Sequence, residues 1–280
     1  MDNLLQLGRV GRLAFGVFAG LVAVFLLIPT LLVIPMSLSG SELLEFPPST
    51  WSLRWWHEFW QSNVWMSATR ISLLLALSTS FCAMPIALLA AYAARSVSGR
   101  RSLAISGIVL LPVAVPPVLI GIGLFFAFAK LRLNGTFFGL LVGHTLMAVP
   151  VAFVMLRAAL ATFDTDQLRV ARSLGADGLQ SFFLVLVPQI KGPILTALLL
   201  SFLTSLDEVI ISMFVGSGPN TTLTKVMFLS LRDRIDPQTA VISTVWTLLV
   251  FVIVIAIYRR ELTSGSRDPT PSVPSNDTGR

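Results

Sequence analysis

Polar and apolar positions along this chain fall into long blocks, not into the short periods of a soluble fold. Five stretches, 13–41, 71–94, 102–129, 133–156 and 237–258, contain no Asp, Glu, Lys or Arg. A sixth, 192–215, is apolar except for Asp207 and Glu208. A helix that crosses a bilayer needs roughly 20 apolar residues, because the hydrocarbon core is about 30 Å thick and each residue rises about 1.5 Å. All six runs are long enough. In lipid the backbone must satisfy its own polar groups, which leaves helices or closed barrels. The runs lack the in–out alternation of barrel strands, so they read as helices. The pattern predicts an all-α membrane protein with six transmembrane helices, at about 13–36, 69–94, 103–129, 137–157, 192–215 and 238–258. The first run is too long for the apolar region of a signal peptide, and no convincing A-x-A site follows it.

Composition agrees with that pattern. Apolar residues make up 55% of the chain and charged residues 12%, with a mean hydropathy of +0.82. An average soluble domain carries about 25% charged residues. Six spans put both termini on one side. With that side cytoplasmic, the inner segments hold 13 of the Lys and Arg residues and the outer segments 7. This is the bias of the positive-inside rule, and it gives cytoplasmic termini, 1–12 and 259–280. It also accounts for the net charge of +6 without nucleic acid, since no basic cluster sits on a soluble module. The tail from 262 onward, rich in Ser, Pro, Asp, Gly and Thr, reads as disordered. Cys82 is the only cysteine and lies in the second span, so it builds neither an internal disulfide nor a Cys-based zinc site. No cofactor or metal is expected.

Five places depart from plain apolar spans. The first external segment, 37–66, holds Trp51, Trp55, Trp56, Trp60 and Trp65, five of the six tryptophans. Spacings of four and five put the first four near one helical face. They suit a helix at the headgroup level or a docking surface for an external protein. The third span carries Pro112, Pro116, Pro117, Gly121 and Gly123. Prolines remove backbone donors, and the stretch reads either as a packing kink or as a helix lining a pathway. In the segment 158–191, Asp164 and Gln167 fit a capping box that opens a short helix over about 165–174. Gly175 suits a left-handed cap, and a second helical stretch precedes Pro188, giving a cytoplasmic hairpin. Asp207 and Glu208 interrupt the fifth span. Ionisable residues at that depth cost at least about 2.5 kcal/mol, so they are functional candidates unless the membrane portion ends near Leu206. Their side chains point about 100° apart, so one can face a pathway while the other bonds a neighbour. Last, about 222–232 is apolar enough for a short helix at or dipping into the outer face.

The 158–191 segment resembles the cytoplasmic "EAA" loop of ABC importer permeases. That pattern is Glu-Ala-Ala, three residues, Gly, nine residues, then Ile-x-Leu-Pro. Here Arg169, Val170 and Ala171 are followed by Gly175, then Val185, Val187 and Pro188. The spacing fits throughout, and Arg169 stands where the family has an acid. The run Leu111-Pro112 through Pro116, Pro117 and Gly121 also resembles the second permease subunit of spermidine/putrescine importers. So do Ser205-Leu-Asp-Glu-Val-Ile-Ile-Ser212 and Gly216–Pro219 with Thr221-Thr-Leu-Thr-Lys. The resemblance covers about 10–258. It implies the type I ABC importer permease fold, with a coupling-helix hairpin between the fourth and fifth helices. It also implies a bacterial inner-membrane protein in which a second permease subunit completes the pathway for a small-molecule solute. Cytoplasmic ABC ATPase subunits would bind at the loop (Arg169, Ala171, Gly175, Val185, Pro188), and an extracytoplasmic solute-binding protein would deliver the cargo. Asp207, Glu208, Pro116, Pro117 and Gly121 are the pathway candidates, and a polyamine is the expected cargo.

Two other classes compete with this reading. An ion-coupled transporter or channel would show matching broken helices in two halves, and no such halves are visible. An intramembrane enzyme needs a catalytic constellation, but His57 is external, and His144 and Cys82 each stand alone. A lone His144 reads as a bond between helices. The chain also has no G-x-x-x-x-G-K-[ST] to hold nucleotide phosphates, so ATP hydrolysis is expected on another subunit.

Overall fold

The computed structural model describes residues 9–233 and 236–264. These fall into two compact units, 9–59 with 236–264, and 60–233. Among the described residues every regular element is a helix, apart from an isolated bridge between Ser39 and Trp51.

In the first unit, α1 (Arg9–Met36) packs against α13 (Gln238–Ser264). Thr244 Oγ1 donates to Val33 O at 3.3 Å. Phe15, Phe18, Leu21 and Phe25 of α1 are all exposed. So continuous an apolar surface belongs in lipid, not water. The helix α2 covers only Arg54–Gln61. Trp51 therefore does not share its face, as the spacing had predicted. Trp51 instead lies in an antiparallel turn, where Gly40 N–H bonds Thr50 O and Ser52 N–H bonds Leu38 O. Trp55 and Phe59 are the buried residues of α2, while Trp60 points outward. α13 runs to Ser264, so the start of the tail expected to be disordered is helical. The rest of that expectation, 265–280, lies outside the described residues.

The second unit is built on α3 (Asn63–Ser96) and α6 (Phe137–Thr162), which pack along their lengths. Small buried residues make this possible: Ala76, Ala83, Ala87 and Ala91 on α3, and Gly139, Gly143, Ala148 and Ala152 on α6. In a membrane, helices associate through close packing, and small side chains let the backbones approach. α10 (Lys191–Asp207) lies against both. α4 (Arg100–Ala114) and α5 (Pro117–Leu131) follow α3. α7 (Asp166–Ser173), α8 (Gly178–Ser181), a π-helical turn at Phe182–Leu186 and α9 (Val187–Gln189) link α6 to α10. α11 (Ile210–Val215) and α12 (Leu223–Asp233) complete the unit.

Three helices are long and apolar enough to cross a membrane: Leu13–Met36, Asn63–Ser96 and Phe137–Thr162. Two bent pairs raise the number to as many as five, namely α4 with α5, and Gly178–Gln189 with α10. Two runs expected as single helices are therefore corrected. The 103–129 run bends by 96° between Ala114 and Pro117. Pro116 and Pro117 lack backbone donors, and Val115 is extended as residues before proline tend to be, so the helix stops and restarts. The 192–215 run stops at Asp207 and restarts at Ile210.

Candidate functional site

The break at 208–209 is closed by side chains. Glu208 turns its carboxylate onto the start of α11, where Oε1 accepts the Ile211 N–H at 2.9 Å. A helix start leaves donors unpaired and favours negative charge, so this is a cap. Glu208 O accepts from Ser212 Oγ at 2.9 Å and from Thr224 Oγ1 at 3.2 Å. Asp207 behaves differently. It is exposed and has no hydrogen bond or ion pair among the described residues.

His144 spans the same break from α6. Its Nδ1 lies 2.8 Å from Ser205 Oγ on α10, and its Nε2 lies 3.2 Å from Ser212 Oγ on α11. The Ser212 hydroxyl donates to Glu208 O, which leaves its oxygen to face Nε2 as an acceptor. Ser205 Oγ also sits 3.4 Å from Thr79 Oγ1 on α3. Four helices thus meet at one imidazole, which is 1% exposed. His144 is the interhelical bond its sequence context predicts, with partners that the sequence does not single out. Their signal was present in the polar residues Thr79, Ser205 and Ser212 scattered within apolar runs.

The segment 221–225 folds over the break. Leu223 N–H donates to Ser72 Oγ at 2.8 Å. Lys225 Nζ reaches Gly216 O at 2.7 Å and Met213 O at 3.1 Å. It thereby neutralises carbonyls left open at the end of α11, the negative end of a helix. Burial pushes the Lys225 ammonium below the usual lysine range.

Both broken helices touch here. α11 packs on α5, and Gly121 sits against Phe214, where an added Cβ would come within 2.5 Å of the ring. Gly143 does the same for Ile211 at 2.5 Å. Gly121 is thus a notch that seats α11, one turn beyond Pro117. Of the pathway candidates, Gly121, on the helix that Pro116 and Pro117 open, packs against α11, the helix that Glu208 caps.

The loop candidates form a second, separate group. α7 ends in a cap where Gly175 N–H bonds Arg172 O at 3.0 Å and Ala176 N–H bonds Ala171 O at 3.1 Å. Gly175 has φ +96°, which a side chain resists. The capping box expected at Asp164 and Gln167 does not form. Thr165 is already helical, Asp164 Oδ1 accepts only from Asp166 N–H, and Gln167 pairs with Gln189 instead. The box forms later, at Asp177 and Gln180, where Gln180 N–H bonds Asp177 Oδ1 at 2.7 Å and Asp177 N–H bonds Gln180 Oε1 at 3.0 Å. Arg169 is exposed and paired with Asp166. Pro188 is exposed and Val185 half-buried. Leu168, Phe182, Leu186 and Ile190 anchor the hairpin in one core with Ala91 and Ala94 of α3 and Leu156 and Leu160 of α6.

The sequence profile described as "Binding-protein-dependent transport system inner membrane component" matches residues 83–262. The putrescine transport system permease protein PotI of Escherichia coli K12 is 27% identical over 79% of this chain and 80% of its own. The spermidine/putrescine transport system permease protein PotC of the same strain is 25% identical over 92% of this chain and 98% of its own. The putative 2-aminoethylphosphonate transport system permease protein PhnV of Salmonella typhimurium is 31% identical over 80% and 84%. Among solved structures, a bacterial ABC transporter involved in import of the acidic polysaccharide alginate matches with a TM-score of 0.69 at 16% identity, over 91% of this chain and 98% of that one. An amino acid ABC transporter matches with a TM-score of 0.54 at 18% identity, over 74% and 98%. Both carry the same helical fold.

Proposed function

The chain belongs to the binding-protein-dependent transport system inner membrane components, so it is a permease of ABC importers and not an enzyme, and we propose that its cargo is a small solute bearing alkylammonium groups, a polyamine such as spermidine or putrescine. In this reading α1, α3, the α4–α5 pair, α6, α10 with α11, and α13 are the six spans. The termini and the 158–191 hairpin are cytoplasmic. A second permease subunit completes the pathway, and an extracytoplasmic solute-binding protein delivers the cargo.

The observation that carries the cargo reading is the unequal use of the two acids at the break. Glu208 is spent on capping α11, whereas Asp207 presents an unpaired carboxylate at the end of α10. A helix C-terminus carries about half a negative charge, so helix end and carboxylate together favour a cation. An alkylammonium already occupies such a helix end, since Lys225 Nζ sits on the carbonyls of Met213 in α11 and of Gly216, its C-cap. The solutes in the names of the relatives, putrescine, spermidine and 2-aminoethylphosphonate, share an amino group on an alkyl chain. The phosphonate relative makes an aminoalkylphosphonate the second reading.

ATPase subunits bind the α7–α8 hairpin in this account. Their closure on ATP pushes the hairpin, and the shared core carries that push into α3 and α6. The α10–α11 break, held at His144, is a place where the backbone is interrupted and a span can rearrange. The test is ATP hydrolysis by the reconstituted complex with candidate solutes. Stimulation by putrescine or spermidine is expected. Stimulation by 2-aminoethylphosphonate alone selects the second reading, and stimulation only by a solute without an amine ends the cargo proposal.

A further inference from the structure

We propose that the cavity between the end of α3 and helix α7 binds a phosphate-bearing anion, supplied either by an anionic lipid headgroup or by free phosphate. The proposal stands on the geometry of this end of the second unit and not on the cargo.

The cavity has a volume of about 240 Å³. Three arginines line it, Arg95, Arg169 and Arg172, and no Asp or Glu does. Arg95 is held in place because its Nη2 donates to Phe163 O at 2.6 Å, which leaves most of its fork of donors unused. Arg169 is paired with Asp166, a residue outside the lining. The Arg172 guanidinium makes no hydrogen bond or ion pair among the described residues, and the hydroxyls of Tyr92 and Thr165, also in the lining, have no partner there either. The second acid nearby, Asp164, accepts the Asp166 N–H and does not line the cavity.

Unused planar donors around one space match the oxygens of a phosphate or phosphodiester, which arginine engages two at a time. Leu160, Leu168 and Leu186 complete the lining. Basic and apolar residues around one space suit a headgroup with the root of its acyl chains, and basic pockets between helices on the cytoplasmic side recognise anionic lipid in this way. Bound there, the anion ties α3 to α7 and so restrains the hairpin relative to the spans.

The test uses the full-length chain purified in detergent. Native mass spectrometry measures retention of phosphatidylglycerol against phosphatidylethanolamine, and a thermal-shift series measures the response to inorganic phosphate. Arg172→Gln removes a group bonded to nothing in the fold, so it tests the site without threatening folding. Arg95→Gln is the second variant, and Lys130→Gln, at an exposed base outside the cavity, controls for net charge. Preferential retention of phosphatidylglycerol, weakened about tenfold by Arg172→Gln and unchanged by Lys130→Gln, supports the site with lipid as its source. A phosphate response lost in Arg172→Gln supports it with free phosphate as the source. Equal retention of the two lipids with no phosphate response, or retention indifferent to both arginine variants, overturns it.

Discussion

His144 and Ser205 lie 61 residues apart in sequence and 2.8 Å apart in space, Nδ1 to Oγ, with the other ring nitrogen on Ser212 across the helix break. A single hydrogen bond between membrane helices contributes only about 0.6 kcal/mol on average. Removing the ring does more, because it leaves buried hydroxyls unpaired and a cavity behind. His144→Ala is expected to destabilise the purified chain by about 2 kcal/mol or more, and Ser212→Ala by less than about 1 kcal/mol. Unfolding in mixed detergent measures both. Equal, small effects would mean that the imidazole does not hold the break together.

Gly121 and Gly123 are two residues apart and separate packing from composition. A Cβ on Gly121 meets the Phe214 ring at 2.5 Å, while one on Gly123 meets nothing within 4 Å. Gly121→Ala is expected to cost about 1–3 kcal/mol from overpacking, and Gly123→Ala to be neutral or slightly stabilising. Thermal unfolding of the two variants gives the comparison; matching melting temperatures would contradict the seating of α11 on α5.

Gly175 tests the hairpin. Its φ of +96° lies in the region that side chains resist, and nothing crowds its Cβ position. Gly175→Ala therefore acts through backbone strain alone, at about 1–2 kcal/mol. Gly175→Pro is incompatible with that angle, since proline fixes φ near −65°. The proline variant is expected to assemble with its ATPase yet hydrolyse ATP without moving solute. The ratio of hydrolysis to uptake reports this, and a normal ratio removes the hairpin from the coupling.

Asp207→Asn is expected to lower cation uptake several-fold, since it removes an unpaired carboxylate at the α10 end. Glu208→Gln is expected to matter less, because its amide oxygen still accepts the Ile211 N–H, whereas Glu208→Leu uncaps α11 at a cost of about 1 kcal/mol. Uptake kinetics and a melt on each variant separate charge from capping. Uptake unchanged in Asp207→Asn assigns that residue to the surface alone.

Glu45 gives a pH prediction. Hydrogen bonds from the Ser49 hydroxyl and N–H and from Ser39 hold its carboxyl below the usual glutamate range. A carboxyl lowered in the folded state contributes stability above its unfolded pKa, and that contribution fades as pH falls through the folded value. The 39–49 turn is therefore expected to loosen only below about pH 4.5, the ordinary glutamate value. Hydrogen exchange at the Ser49 amide follows it, and Glu45→Leu, which has no acceptor, should be loose at all pH values. Exchange that is flat across that range would contradict the role of Glu45.

Much of this was legible in the sequence because lipid imposes a length rule that composition obeys. The apolar runs at 13–36, 69–94 and 137–157 appear as long helices, and Gly175 does cap α7 in the left-handed conformation. Where the sequence misled, local signals were degenerate. Asp164/Gln167 and Asp177/Gln180 satisfy the same capping pattern, and only tertiary contact, Gln167 with Gln189, decides between them. Trp51 has helical spacing to Trp55 but pairs backwards with Ser39. The break after Asp207 has no proline to announce it. It depends on Ser72, His144 and Thr224, which lie far away in sequence, and no periodicity encodes such partners.

The central claim is that this permease moves an amine-bearing solute using ATP hydrolysed on another subunit. The most direct measurement is uptake of radiolabelled putrescine into vesicles holding this chain, its sibling permease and the ATPase, with the binding protein outside. The account predicts uptake that requires enclosed ATP and the binding protein, persists when ionophores collapse every ion gradient, and falls in Asp207→Asn. Uptake that follows an ion gradient and proceeds without the ATPase would contradict it.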